Sequence, residues 1–150
     1  MNDVNITRTF DAPRDLVWTM WTDPKHLAQW WGPHHFTNPR CEFDARPGGA
    51  IHIDMRGPDG TIYPMRGEVK EIVRPSRLVF NSVPLDDQGN VLFEVLTTVT
   101  LAEHGGKTTV SVNAHVVRIV APVAEQMLAG MEAGWTQSLE RLGEHLKGIR

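Results

Sequence analysis

The chain has 150 residues, of which 41% are hydrophobic and 22% charged, the composition of one folded domain spanning residues 1–150 and not of a disordered segment. A net charge of −3, with no cluster of Lys or Arg to offset it, argues against a nucleic-acid partner. Cys41 is the only cysteine, which excludes an intrachain disulfide and fits a reducing compartment. No apolar run approaches the ~20 residues of a membrane span and the N-terminus lacks a signal-peptide pattern, so a cytoplasmic protein without membrane insertion is expected.

In chain order, Val4 to Phe10 alternates apolar and polar residues as a half-buried strand does. Asp11-Ala12-Pro13 breaks it and opens a short helix through Leu16, Val17, Met20 and Trp21. Asp23 is an N-cap candidate with Pro24 at the first helical position of a second short helix, which carries Leu27, Trp30 and Trp31 before Gly32-Pro33 stops it. Phe36 to Asp44 is a weakly patterned strand ending in the turn Arg46-Pro47-Gly48-Gly49. Ala50 to Arg56 then alternates cleanly, Ile51, Ile53 and Met55 against His52, Asp54 and Arg56. The turn Gly57-Pro58-Asp59-Gly60 leads into a strand that puts Tyr63, Met65, Gly67 and Val69 on one face.

Further strands follow at Arg77 to Val83, Val91 to Glu103 and Thr108 to Val117, the last two joined at His104-Gly105-Gly106-Lys107. From Ala121 to Arg150 the period changes to that of a helix, gathering Met127, Leu128, Met131, Trp135, Leu139, Leu142 and Leu146 into one stripe. At 1.5 Å per residue, about 26 residues make a rod of roughly 39 Å. Strands in sequence joined by tight turns imply an antiparallel meander of about six to seven strands. The expected class is α+β, a curved antiparallel sheet wrapped around a long C-terminal helix, with two short helices after the first strand.

Three features point to a space between sheet and helix. Gly130 and Gly134 fall beside the apolar stripe of the helix, where each costs about 1 kcal/mol relative to alanine. Met55, Met65, Met127 and Met131 occupy faces read as inward, and thioethers adapt to irregular shapes. Trp30, Trp31, Phe36 and Trp135 are placed to frame a mouth. The same residues also read as plain core, and Trp30-Trp31 as a surface for a partner.

Catalytic chemistry is harder to find. His52, Asp54 and Arg56 share the polar face of their strand, Arg66 and Glu68 repeat it on the next, and His115 has the polar parity of its own. His34 and His35 are adjacent and point apart, which argues for a turn and against a metal site even with His26 nearby. Cys41 has no base beside it in sequence and reads as an inert thiol. No nucleophile is assembled with a base and no phosphate-binding loop follows a strand, so no catalytic residue, metal ligand or cofactor is assigned.

Several stretches together resemble a known family. ITRTFDAPRDLVWTMWTDPKHLAQWWGP (Ile6 to Pro33), FDARPGGAIHIDMRGPDG (Phe43 to Gly60), RGEVKEIVRPSRLVF (Arg66 to Phe80) and MEAGWTQSLERLGEHL (Met131 to Leu146) are similar to the activator of heat-shock protein 90 ATPase homologue family, part of the START-like or SRPBCC superfamily. The resemblance implies a helix-grip fold with a deep, mostly apolar cavity, used across the superfamily for lipids, sterols, polyketides, hormones or aromatic intermediates. Carried onto this chain, the cavity side comprises Ile53, Met55, Tyr63, Met65, Phe80 and Val95 from the sheet and Met127, Met131 and Trp135 from the helix, with Trp31 and Phe36 beside the opening. Tyr63 and Thr97 are the polar candidates for orienting a ligand.

The expectation is a small hydrophobic molecule as partner, of lipid, polyketide or aromatic type, with no established catalysis. The alternatives are a polyketide cyclase/dehydratase-like enzyme and a protein-interaction module of the co-chaperone kind. The eukaryotic co-chaperone carries this domain behind a separate chaperone-binding domain that this sequence does not show, which weighs toward the ligand. Homodimerisation is left open.

Overall fold

The computed structural model describes residues 3–149. Seven strands form one sheet: β1 (Val4–Phe10), β2 (Thr37–Phe43), β3 (Ala50–Arg56), β4 (Ile62–Val73), β5 (Arg77–Pro84), β6 (Phe93–His104) and β7 (Lys107–Ile119). Helices α1 (Arg14–Thr22) and α2 (Pro24–Trp30) follow β1, and α3 (Ala124–Ala129) and α4 (Met131–Ile149) close the chain. The strand order is β1-β7-β6-β5-β4-β3-β2, every pairing antiparallel, so the meander runs from β2 to β7 and β1 returns beside the last strand. This is the α+β arrangement anticipated from the pattern and the helix-grip fold that the resemblance implies.

Alternation along the strands decides which face is buried. Val4, Ala114, Thr97, Phe80 and Val69 face one another in register across five strands, and all five are buried. A bulge between Val69 and Glu71 absorbs Lys70 and returns Ile72 to the inner face opposite Leu78. Helix α4 covers that face with Leu139, Leu142 and Leu146, all nearly inaccessible. Truncating any one of them to alanine is expected to cost about 2–5 kcal/mol. Helix α1 adds Val17, Trp18, Met20 and Trp21 to the same core.

The two N-terminal helices start differently. Asp23 caps α2 as its sequence implies, its carboxylate accepting the Lys25 N–H at 2.9 Å. Helix α1 begins at Pro13 without a side-chain cap of its own, and the carboxylate of Glu103, from the far end of β6, accepts the Arg14 N–H at 2.5 Å instead.

The C-terminal helix is not one rod. It breaks at Gly130 (φ −92°, ψ 1°), whose N–H turns back to Met127 O at 3.2 Å in a tightened final turn; α4 then restarts, with Gly134 N–H bonding Gly130 O at 2.9 Å. The apolar stripe continues through the break, which is why periodicity alone reads a single helix. Nothing approaches closely enough to demand a glycine at either place: a Cβ on Gly130 would meet only Met127 O at 3.7 Å, and one on Gly134 nothing within 4 Å. Of the two meanings open to these glycines, close approach or spare room, the structure has room.

Candidate functional site

The segment that leaves α2 and enters β2 is held against α4 by polar contacts. The Gly32 N–H donates to Ser138 Oγ and the His34 N–H to Gln137 Oε1, both at 3.0 Å. Arg141 Nη1 lies 2.9 Å from each of the carbonyl oxygens of Trp31, Gly32 and Pro33, and Nη2 reaches Gln29 O at 3.3 Å. These carbonyls end a helix, where a cation is favoured both by their orphaned oxygens and by the helix dipole. Asn38 Nδ2 donates to Ala28 O and Trp31 O from the other side, at 2.9 Å each. Gly32 is needed here for its φ of +96°, a conformation L side chains rarely adopt.

These bonds place Trp31 between helix and sheet. Its ring is edge-on to Trp135 of α4 (centroids 5.5 Å apart, planes at 80°) and 6.1 Å from Phe80 of the inner sheet face. Trp135 in turn stacks on Trp21 at 6.0 Å and 23°, and Trp21 meets Trp30 edge-to-face at 4.7 Å. Trp31 and Trp135 are only half-buried, whereas Trp21 and Trp30 are fully enclosed. The surface patch of Trp30-Trp31 entertained from sequence therefore does not exist: Trp30 belongs to the core and Trp31 to this wall.

Of the residues expected to line a cavity, Ile53, Met65, Phe80, Val95 and Thr97 are buried on the inner face, and Met55, Met131, Trp31, Phe36 and Trp135 are half-buried. Tyr63 and Met127 are more open, at 38% and 36% exposure. Tyr63 sits opposite Met55 in the β3–β4 pairing, with its ring 5.9 Å from Phe36. One end of the sheet gathers the β3–β4 turn, the β5–β6 loop, the segment before β2 and the connection from β7 to α3. The exposed large apolar residues Ile62, Tyr63, Val117, Ile119, Val120, Val123 and Met127 all belong to that end; among the described residues only Val73 and Ile149 are comparably exposed elsewhere.

Two surface clefts lie apart from these residues. A cleft of about 690 Å³ between α2 and α4 is lined by Gln29, His34, Glu140, Arg141, Glu144 and His145. A smaller one, about 350 Å³, runs between the end of β1 and the last turns of α4, past Phe10, Gly143 and Leu146. None of the residues expected to line a cavity borders either. Beneath the first, His26 Nδ1 and His145 Nε2 are 3.0 Å apart and share a hydrogen bond. Burial first, and the neighbouring His26 second, hold His145 below the ordinary histidine range.

The titratable groups weighed from sequence project from the other side of the sheet. His52 Nε2 and Asp54 Oδ1 are 3.1 Å apart on β3, alternating with buried Ile51 and Ile53. They are less solvated than expected, with side-chain exposures of 13% and 23%. Glu68 pairs with Lys70, and His115 with Asp3, both on the exposed face. Burial raises the Cys41 thiol to about 11, which keeps it protonated and unreactive at neutral pH. Among the described residues no three His, Cys, Asp or Glu side chains gather as metal ligands, and no helix is long and apolar enough to cross a membrane.

Sequence reasoning missed Gln137, Ser138 and Arg141. Gln137 and Arg141 fall outside the apolar stripe, where a polar residue ordinarily meets only water, and Ser138 is a small hydroxyl buried within it; nothing local marks their partners more than a hundred residues upstream.

An open seven-stranded sheet whose inner face is closed by a long helix, with an aromatic wall between them, defines a helix-grip protein. The chain belongs to the family described as Activator of Hsp90 ATPase homolog 1-like protein, which it matches over residues 11–147. Among solved structures, the AHSA1 protein of Silicibacter pomeroyi superposes with a TM-score of 0.84 at 23% identity, covering 99% of this chain and 100% of that one. A protein from Arthrobacter aurescens gives 0.82 at 29% identity over 97% and 86% of the two chains. DynU16, from the dynemicin biosynthetic locus, gives 0.74 at 26% identity and covers 98% of this chain but 48% of its own. No curated protein matches the chain. Family and fold together support a ligand-binding or polyketide cyclase-like module.

Proposed function

We propose that the protein binds a small hydrophobic molecule, of lipid, polyketide or aromatic type, between the inner sheet face and α4. The observation that carries this reading is the wall formed by Trp31, Trp135 and Phe80. It is built of large rings, two of them only half-buried, and exposed apolar residues concentrate at the end of the sheet where the segment carrying Trp31 enters β2. Exposed apolar side chains gathered at one rim mark a place where apolar surface is covered, and in this reading the cover is the ligand on its way to the wall. Gly134 adds spare room on the helix, and Met55, Met65 and Met131 line adjacent positions with adaptable side chains. DynU16 comes from a biosynthetic locus, a setting in which a small molecule is a natural occupant. No titratable side chain of this site is assigned a catalytic step.

The test is a thermal-shift screen against lipids, flavonoids, aromatic polyketides and bile-acid-like compounds, with tryptophan emission as the second readout. A ligand at 100 times its dissociation constant adds about 2.7 kcal/mol of stability, and quenching by contact with Trp31 or Trp135 should follow the same isotherm. Met131→Trp should fill the space and abolish binding while leaving the domain folded. Binding that survives this substitution unchanged would place the ligand elsewhere.

A further inference from the structure

Two indoles lie side by side in the helical layer, both closed off from solvent, and their N–H groups have different fates. Trp30 Nε1 donates to Met20 O at 3.0 Å. Trp21 is 1% exposed, and its Nε1 has no hydrogen-bond partner among the described residues. Buried polar hydrogens are rarely left so, because a donor stripped of water and given no acceptor opposes folding. A phenylalanine would supply ring area at this position without that cost. The orphaned donor belongs to the ring that stacks on Trp135, itself packed against Trp31, so it sits at the back of the aromatic wall proposed to hold the ligand.

We infer that Trp21 determines specificity: its indole N–H takes a hydrogen-bond acceptor carried by the ligand, a carbonyl, ether or hydroxyl oxygen, so that the natural occupant is an oxygenated aromatic or polyketide-like molecule and not a plain hydrocarbon. The inference rests on the ligand-binding reading above and narrows it. Apolar walls discriminate poorly among molecules of similar shape, whereas one buried donor discriminates sharply against a molecule that leaves it unpaired. Trp21 touches no reacting group, and its role is selection.

The probes are 2-acetylnaphthalene and 2-isopropenylnaphthalene, which match in shape and differ in whether C=O or C=CH2 faces the donor. Dissociation constants are measured for both on the wild-type protein and on Trp21→Phe, and the ketone-to-alkene ratio is compared between the two proteins. This comparison cancels the ketone's greater affinity for water. One hydrogen bond should shift the ratio about tenfold in favour of the ketone, in the wild type only. A second measurement needs no variant: the Trp21 indole proton resonance should move downfield when the ketone is added and not when the alkene is. If both probes bind, the ratio is unchanged by Trp21→Phe and the resonance stays in place, then the N–H is spent on the face of Trp30 and the inference is overturned, while ligand binding stands. If neither probe binds up to its solubility limit, the ligand-binding reading fails and takes this inference with it.

Discussion

Among the described residues Arg141 meets four backbone carbonyls and no carboxylate, so its charge serves to close the end of α2 and to fix the Trp31 backbone. Removing it strands the Gly32 and Gln29 oxygens, whereas Trp31 O keeps Asn38 Nδ2 and Pro33 O keeps the Phe36 N–H. Arg141→Met keeps the stem's packing and deletes the donors; unfolding in urea should show a loss of about 2–3 kcal/mol, with the melting temperature down by about 5–10 °C. Arg141→Lys should recover part of it, since three of the carbonyls converge on Nη1 alone and an ammonium carries three donors, leaving only Gln29 O unserved. A loss under about 0.5 kcal/mol would mean that water replaces the guanidinium without penalty. Gly134 makes the opposite case. A methyl there meets nothing within 4 Å and removes backbone freedom from a helix interior, so Gly134→Ala should stabilise the fold by about 0.5–1 kcal/mol. If the room beside Gly134 receives ligand, the same substitution weakens binding, and the two effects separate in one titration at two temperatures.

Helices α2 and α4 are joined by the pair His26–His145, and this contact makes the helical layer sensitive to pH. In the fold His145 is held below the ordinary value of 6.5, first by burial and then by His26. A depressed value means that the unfolded chain takes up the proton more readily. The stability from this contact is therefore present above about pH 6.5 and is lost as pH falls toward and through the folded value. Arg141, one turn before His145, adds positive charge on the same side, and Glu144 partly offsets it. Carboxylates held low by hydrogen bonds, Asp86 by the Asn90 N–H and Glu94 by Asn81 and then Arg118, give up their contributions only below ordinary values of 3.8 and 4.5, outside this window. The wild-type urea midpoint should accordingly fall between pH 7 and 5 by more than that of His145→Gln; equal slopes would show that the pair does not couple the helices. Neither this contact nor the Arg141 clamp could be read from the chain, because each joins positions more than a hundred residues apart and local pattern carries no register for side chains meeting across elements. What local pattern does carry, it carried well. Ile51, Ile53 and Met55 alternate against His52 and Asp54 as their strand does, and Asp23-Pro24 starts a helix where capping chemistry requires it. The break at Gly130 escaped because the apolar period runs straight through it.

At the scale of the whole molecule, the two ends of the sheet differ. One end is closed by the packing of Phe10 against the last turns of α4, where a Cβ on Gly143 would already touch the Phe10 ring at 3.5 Å. The other end carries most of the exposed apolar side chains and the connection to α3, a helix that buries only Ala124 and Leu128. The topology delivers three hairpin turns and the β1–α1 connection to the first end, and two hairpin turns, the segment before β2 and the start of the C-terminal helices to the second, where the β5–β6 loop is the longest of the hairpin connections. If a hydrophobic ligand enters there, the exposed rim should govern how fast it enters more than how tightly it is finally held. Val123 is 50% exposed, so Val123→Asp should change stability by less than about 0.5 kcal/mol. In stopped-flow tryptophan fluorescence with a neutral probe such as 2-acetylnaphthalene, the same substitution should slow association and dissociation by the same severalfold factor and leave the dissociation constant almost unchanged, because the charge lies on the path and not in the wall. A similar charge at Val73, equally exposed at the far end of β4, should leave both rates untouched. Equal slowing by Val73→Asp would show that entry is not confined to the apolar end, and the aromatic wall would then have to be reached by opening of the α2–α4 contact instead.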